Sequence, residues 1–430
     1  MMNRRNFIAK TGASALLATV AKPLSATVTK APLEEWENVR ADFKLDTSKI
    51  QMAQFLLASH PSGVRAAIDK YRKGLDDNPV EYYESNFVTN TRAVLKAAET
   101  YLGAKPGEIA LTDSTTMGLS LLYTGLKLKA GEEILSTTHC HYSTEKSLEF
   151  ATQRTGATIR RINLYEEANQ TTVADIVSRL KAAIQAKTRI VAVTFVHSNA
   201  GVKLPIKEMA AVIKEANKNR EETNRIYFCV DGVHGFGVED ITVEDLGCDF
   251  LVAGTHKWLY GPRGTGIIWA KEDAWDMVQP TIPPFSVAYY MWMNVMPEAP
   301  LNFYSKMTPG GFHSFGHRWA LKEAFEFHQN IGKAKIQERT HQLSTMLKEG
   351  MQNIKHIKLH TPMSTTVSSG INSFEVEGMK PKAVVEKLHK MNIIASTTPY
   401  KTVYARLTPC IINTEEEVVA CIKALEQIRG

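Results

Sequence analysis

Short apolar runs recur along this chain, and several of them stop at a side chain capable of chemistry. Four stand out: Glu132-Glu-Ile-Leu-Ser-Thr-Thr-His139-Cys-His141, Arg189-Ile-Val-Ala-Val-Thr-Phe-Val-His197-Ser-Asn199, Ile226-Tyr-Phe-Cys-Val-Asp231 and Phe250-Leu-Val-Ala-Gly-Thr-His-Lys257. Continuous apolar runs of this length, bounded by polar or glycine residues, predict strands buried on both faces. Amphipathic stretches lie between them, and strand and helix patterns in alternation predict an α/β fold with a mostly parallel sheet.

In such a sheet the ligand crevice lies at the carboxyl ends of the strands, so Asp231 and Lys257, 26 residues apart, are expected at one crevice. An acid and a lysine together suit pyridoxal phosphate. The lysine forms a Schiff base with the aldehyde, and the acid keeps the ring nitrogen protonated so that the ring can accept electrons. Taken alone, the pair could equally be a turn cap and a surface lysine.

Leu111-Thr-Asp-Ser-Thr-Thr-Met-Gly-Leu-Ser-Leu-Leu-Tyr123 reads as a hydroxyl-rich turn entering a helix. Free N–H groups there would hold a phosphate, with the hydroxyls of Ser114, Thr115 and Thr116 adding donors. An ordinary N-cap is the plainer reading of that segment by itself. Histidines at the end of the 132–139 run could stack on a pyridine ring, and polar groups after Val196 could bond its oxygen.

Together these segments resemble a class V aminotransferase of pyridoxal-phosphate fold type I, isopenicillin N epimerase-like branch, from about Gln54 to Asn413. The resemblance implies a mostly parallel seven-stranded sheet flanked by helices and a smaller C-terminal α/β domain. It makes Lys257 the Schiff-base lysine, Asp231 the partner of the ring nitrogen, His139 the stacking residue in preference to His141, and Asn199 and His234 the contacts of the ring oxygen. Thr115 with Thr116, and Thr255 with His256, become the phosphate ligands. Tyr404-Ala-Arg406-Leu-Thr-Pro-Cys410 resembles the family's arginine strand, so Arg406 would grip a substrate carboxylate through paired N–H donors. The family's dimer is expected too.

Two departures stand out. Gly310-Gly311-Phe312-His313-Ser314 replaces the Gly-Thr that reaches the partner's phosphate, leaving His313 or Ser314 for that contact. Cys410 replaces a histidine after the arginine. The cysteine desulfurases of this class carry a loop cysteine before that strand, and Ile394 to Thr402 holds none. A C–S lyase needing no thiol stays open as an alternative. The five cysteines, Cys140, Cys229, Cys248, Cys410 and Cys421, form no Cys-x-x-Cys pair, which argues against a disulfide framework. His139-x-His141 lacks a third ligand at matching spacing, so no metal is expected.

Asn3-Arg4-Arg5-Asn-Phe7-Ile8-Ala-Lys10 and the apolar stretch Thr11 to Ala21 resemble a twin-arginine signal, with cleavage after Ala21 or Ala26. The stretch is shorter than the roughly 20 residues a membrane span needs, so no stable anchor is expected. That route carries folded proteins, which implies the Tat machinery as a partner and a periplasmic or secreted enzyme that takes up its cofactor first. Losing residues 1–26 removes Arg4, Arg5, Lys10 and Lys22 and no acid, which takes the formal charge from +6 to +2 and leaves no case for nucleic acid.

At 430 residues the chain exceeds one ordinary core. The expected layout is a signal peptide (1–26), an N-terminal arm (27–58), a large cofactor domain (59–310) and a small domain (311–430) opening with a helix from Arg318 to Ile331. The expected activity is at Cα of an amino acid, or of an amino-acid group on a peptide or secondary metabolite, by transamination or epimerisation. A non-catalytic exported binding protein is the remaining alternative.

Overall fold

The computed structural model describes residues 36–429, so the twin-arginine segment lies outside the described residues. Seven strands form the large sheet: β1 (Ile109–Thr112), β2 (Glu133–Thr137), β3 (Thr158–Ile162), β4 (Thr188–Thr194), β5 (Tyr227–Asp231), β6 (Phe250–Gly254) and β7 (Gly266–Ala270), in the order β1-β7-β6-β5-β4-β2-β3. Only β7 runs against its neighbours, pairing antiparallel with β1 and β6. Every residue of β4, β5 and β6 is buried, as expected of central strands covered by helices on both faces. Each large aliphatic side chain removed from water there contributes about 1.5–3 kcal/mol.

The small domain is a four-stranded antiparallel sheet of β8 (Ile357–Leu359), β9 (Asn372–Val376), β10 (Ser396–Thr397) and β11 (Ala405–Leu407), in the order β10-β11-β9-β8. Helices Lys333–Gln352 and Glu415–Gln427 pack together over it, burying Leu343, Leu347, Val418 and Leu425. Ile50–Gln51 pairs parallel with Ile393–Ile394, so the arm is stitched to this domain.

The border between domains differs from the sequence expectation. Helix Leu321–Ile331 buries Phe325, Phe327 and Ile331 in the same apolar cluster as Tyr101, Phe236 and Tyr260 of the large domain. The chain crosses over at Gly332, whose φ of 98° is open to glycine and strained for other residues. Amphipathic periodicity showed that the segment is a helix with one apolar face, but not which body that face covers.

Candidate active site

Asp231 ends β5 almost wholly buried, at 1% exposure. The Thr144 hydroxyl donates to its Oδ2 (3.2 Å) and the Val233 N–H to its Oδ1 (3.2 Å). Burial pushes the carboxyl up to about 6, against the pull of the Val233 amide, Lys257 and Thr144. Lys257 follows β6 on the same cavity wall. Burial brings its amine down to about 8, with Asp231 opposing that shift and Arg406 adding to it. The loops are drawn together at Gly237, where φ is 88° and a Cβ would lie 2.7 Å from the Leu259 nitrogen.

Helix Thr115–Gly125 points its N-terminus at the cavity, capped by Ser114, whose hydroxyl accepts the Met117 N–H (3.1 Å). Thr115 Oγ1 accepts the Gly254 N–H at 2.7 Å, which fastens the helix start to the end of β6. Thr116 Oγ1 meets Ser143 Oγ at 3.0 Å, and Ser143 meets His141 Nδ1 at 3.0 Å. Thr115, Thr116, Ser143 and His256 all line the cavity. His256 Nδ1 is buried without a partner, and its ring is held neutral first by burial and then by Lys257.

Three expected residues stand elsewhere. His139 lies off the cavity, stacked on Tyr165 at 3.9 Å and accepting the Leu164 N–H on Nε2 (3.2 Å). The imidazole on the cavity wall is His141, because the turn after β2 carries the chain two residues further before a side chain reaches the opening. Thr255 extends the β6–β7 ladder through its N–H to Thr265 O (3.1 Å), and its hydroxyl bonds Thr265 Oγ1 in closing the Gly261–Gly266 turn. Its hydroxyl is spent on that turn and not on a ligand. Asn199 is held through its main-chain carbonyl, which accepts from Ser373 Oγ, and its side-chain Oδ1 is buried without a partner behind Thr194 and Ser198 of the cavity wall.

His234 does line the cavity, buried and neutral. So does Arg406, held by Ser396 Oγ (3.2 Å), Ser198 O (2.8 Å) and Thr397 O (2.7 Å) over the Phe55 ring. Ser396 is its cross-strand neighbour, so the β10–β11 pairing preorganises the guanidinium. It has no carboxylate partner among the described residues, and burial lowers it to about 10. A buried cation without a counter-ion is costly until an anion arrives.

No cysteine lines the cavity; all five are buried. Cys410 sits in the main core beside Asn413, and burial pushes its thiol up to about 11. His313 is engaged within its own chain, near Asp113 (3.4 Å) and the Pro309 carbonyl (3.1 Å). Sequence reasoning missed Ser143 and Thr144 in the first turn of helix Tyr142–Thr155, Ser198 after β4 and Ser396 in β10, whose only signal was a hydroxyl.

A central acid, a lysine, a hydroxyl-lined helix start and an unpaired guanidinium around one opening define an α/β enzyme of the pyridoxal-phosphate fold type I. The family model of class V aminotransferases matches residues 58–414, and the chain belongs to that family. Among its relatives, a probable cysteine desulfurase of Pyrococcus abyssi is 24% identical over 83% of this chain and 86% of its own. Isopenicillin N epimerase of Streptomyces clavuligerus is 23% identical over 92% and 99%. In fold, the chain resembles the cystine C–S lyase C-DES solved with its product cysteine persulfide (TM-score 0.79, 22% identity, 89% of this chain and 99% of that one) and the apo cysteine desulfurase of Thermococcus onnurineus NA1 (TM-score 0.77, 22% identity, 93% and 99%).

The cofactor is pyridoxal phosphate. The residues fit it: the unpaired His256 Nδ1 and the helix start suit a phosphate, the buried Asp231 carboxyl suits a protonated ring nitrogen, and Lys257 offers the amine.

Proposed function

We propose that this enzyme acts at Cα of an α-amino acid, or of an amino-acid group on a larger metabolite, by transamination or epimerisation. The observation that carries this reading is the unpaired, buried Arg406 guanidinium sharing a cavity with Lys257 and Asp231. When bound, pyridoxal phosphate supplies the electron sink that makes the Cα–H bond labile. Asp231, oriented by Thr144 and Val233, keeps a proton on the ring nitrogen. Arg406 binds the substrate carboxylate and thereby fixes where Cα stands, and the Lys257 amine takes the α-proton as general base. The test is to load the protein with pyridoxal phosphate and add L- and D-amino acids while following visible absorption. A shift accompanied by keto-acid release or enantiomer interconversion, the latter two lost in Lys257→Ala, supports the reading, and no response to any amino acid would defeat it.

The desulfurase relatives favour a second reading, β-elimination from a sulfur-containing amino acid. With no thiol on the cavity wall, sulfur would leave without a protein persulfide. Sulfide or persulfide release from cystine, unchanged in Cys410→Ala, would select this reading over the first.

Export and a homodimer belong to the same proposal. Arg4-Arg5 supports the first, and Lys substitution at both should retain the protein in the cytoplasm. Exposed Trp292 (78%) and Phe312 (81%) support the second, and a monomeric mass in solution would count against it.

A further inference from the structure

Epimerisation needs a proton source on the side of Cα away from the lysine, and the cavity holds a hydroxyl across Asp231 from Lys257. Strand order places the cavity over the ends of β6, β5 and β4, with β2 beyond. Lys257 follows β6 on one side of Asp231, whereas Ser198 follows β4 on the other and His141, past β2, lies further out. Ser198 Oγ lines the cavity and shares a 2.8 Å hydrogen bond with Tyr400 Oη. Tyr400 sits in the turn joining β10 to β11 and meets the His141 ring edge-on, with centroids 5.9 Å apart. Ser198 therefore presents its hydroxyl to the cavity on the His141 side, with the Tyr400 hydroxyl behind it. The Ser198 carbonyl also holds Arg406 Nη1, so the pair adjoins the group that anchors the substrate carboxylate.

We propose that Ser198 and Tyr400 form the second proton source of an epimerising site, exchanging a proton with substrate Cα on the side opposite Lys257. This rests on the reading of the site as acting at Cα, and it selects epimerisation within it. The step balances without an oxidant. The Cα–H bond breaks, its proton goes to the Lys257 amine, and its electron pair is held in the sink that the cofactor provides. A new Cα–H bond forms on the other side with the proton of Ser198 Oγ, which Tyr400 Oη replaces. Lys257 returns its proton to solvent, and Tyr400 regains one. Burial keeps the phenol protonated between turnovers, while nearby Arg406 favours the transient phenolate.

The experiment uses the cofactor-loaded enzyme in deuterium oxide with L- and D-alanine and L- and D-glutamate. NMR follows α-proton loss, and chiral chromatography follows interconversion. Wild type is expected to exchange and interconvert both enantiomers of a substrate. Ser198→Ala and Tyr400→Phe should keep exchange of one enantiomer through Lys257 and lose interconversion by about 10²-fold or more. Ser198→Ala retains the main-chain carbonyl that holds Arg406, and exchange persisting in either variant shows an intact site. Exchange of one enantiomer only by wild type, or interconversion unchanged in both variants, overturns the assignment. Exchange of neither enantiomer by wild type overturns the reading of the site as acting at Cα, and the assignment with it.

Discussion

Trp258 Nε1 donates a hydrogen bond to His234 Nδ1 at 3.3 Å, and this fixes where the imidazole carries its proton. Burial keeps the ring neutral, so with Nδ1 accepting, the single proton resides on Nε2. His234 thus has a donor left for an oxygen in the cavity whose wall it forms.

Removing that indole N–H should loosen the cofactor. Trp258→Phe keeps most of the packing against Phe55 and lets the imidazole change tautomer. A net hydrogen bond of about 1 kcal/mol corresponds to roughly fivefold weaker cofactor binding, measured by absorbance titration of the apoprotein. An unchanged affinity would show that His234 needs no fixed tautomer.

Cofactor capture should depend on pH through the amine of Lys257. That amine sits near 8 because burial penalises its charge, so its reactive free form grows as pH rises through about 8 and then levels off. Stopped-flow mixing of apoprotein with pyridoxal phosphate should show this midpoint. Because Asp231 holds the lysine value up, Asp231→Asn should move the midpoint lower; a shift upward would contradict the coupling.

Arg406→Lys should weaken substrate binding more than turnover. Lysine cannot reproduce the fork that reaches Ser198 O and Thr397 O while facing a carboxylate. Losing charge-assisted bonds worth about 1.5–3 kcal/mol raises KM for an α-amino acid about 10- to 100-fold. Initial-rate kinetics check this, and a KM within threefold of wild type would remove Arg406 from the substrate site.

His328 should contribute to acid sensitivity. Burial depresses it to about 3, partly offset by the Trp258 main chain, while the unfolded chain takes up a proton near 6.5. A depressed histidine gives stability that is complete above about 6.5 and is lost as pH falls toward 3. Denaturant unfolding of His328→Leu should therefore show a shallower loss of stability between about pH 6 and pH 4 than wild type.

Lys257, Asp231, His234, Arg406, Thr115, Thr116 and His256 reach one cavity. Lys257, Asp231, Thr115 and Thr116 were legible because each stands at a strand end or helix start whose direction the apolar pattern sets, whereas His234, His256 and Arg406 were reached only through the family resemblance. The positions that differ lie just past those ends. Whether His139 or His141 faces the opening depends on the path of a turn, and Thr255 is diverted by a hydroxyl ten residues ahead. Thr144 and Ser396 act through side chains meeting across 87 and 10 residues of chain, contacts that no local pattern encodes.

The pairing of Ile50–Gln51 with Ile393–Ile394 bears on the order in which the molecule is made. The ribosome releases the arm's strand long before its partner exists, and the arginine proposed to grip substrate lies later still, at Arg406. The large domain can collapse around the Lys257 cleft during synthesis, but the amino-acid pocket closes only once the last tenth of the chain has emerged. A truncated or stalled polypeptide could hold cofactor without discriminating among the amines it meets, and removing the arm through Gln51 would undo that closure from the opposite end.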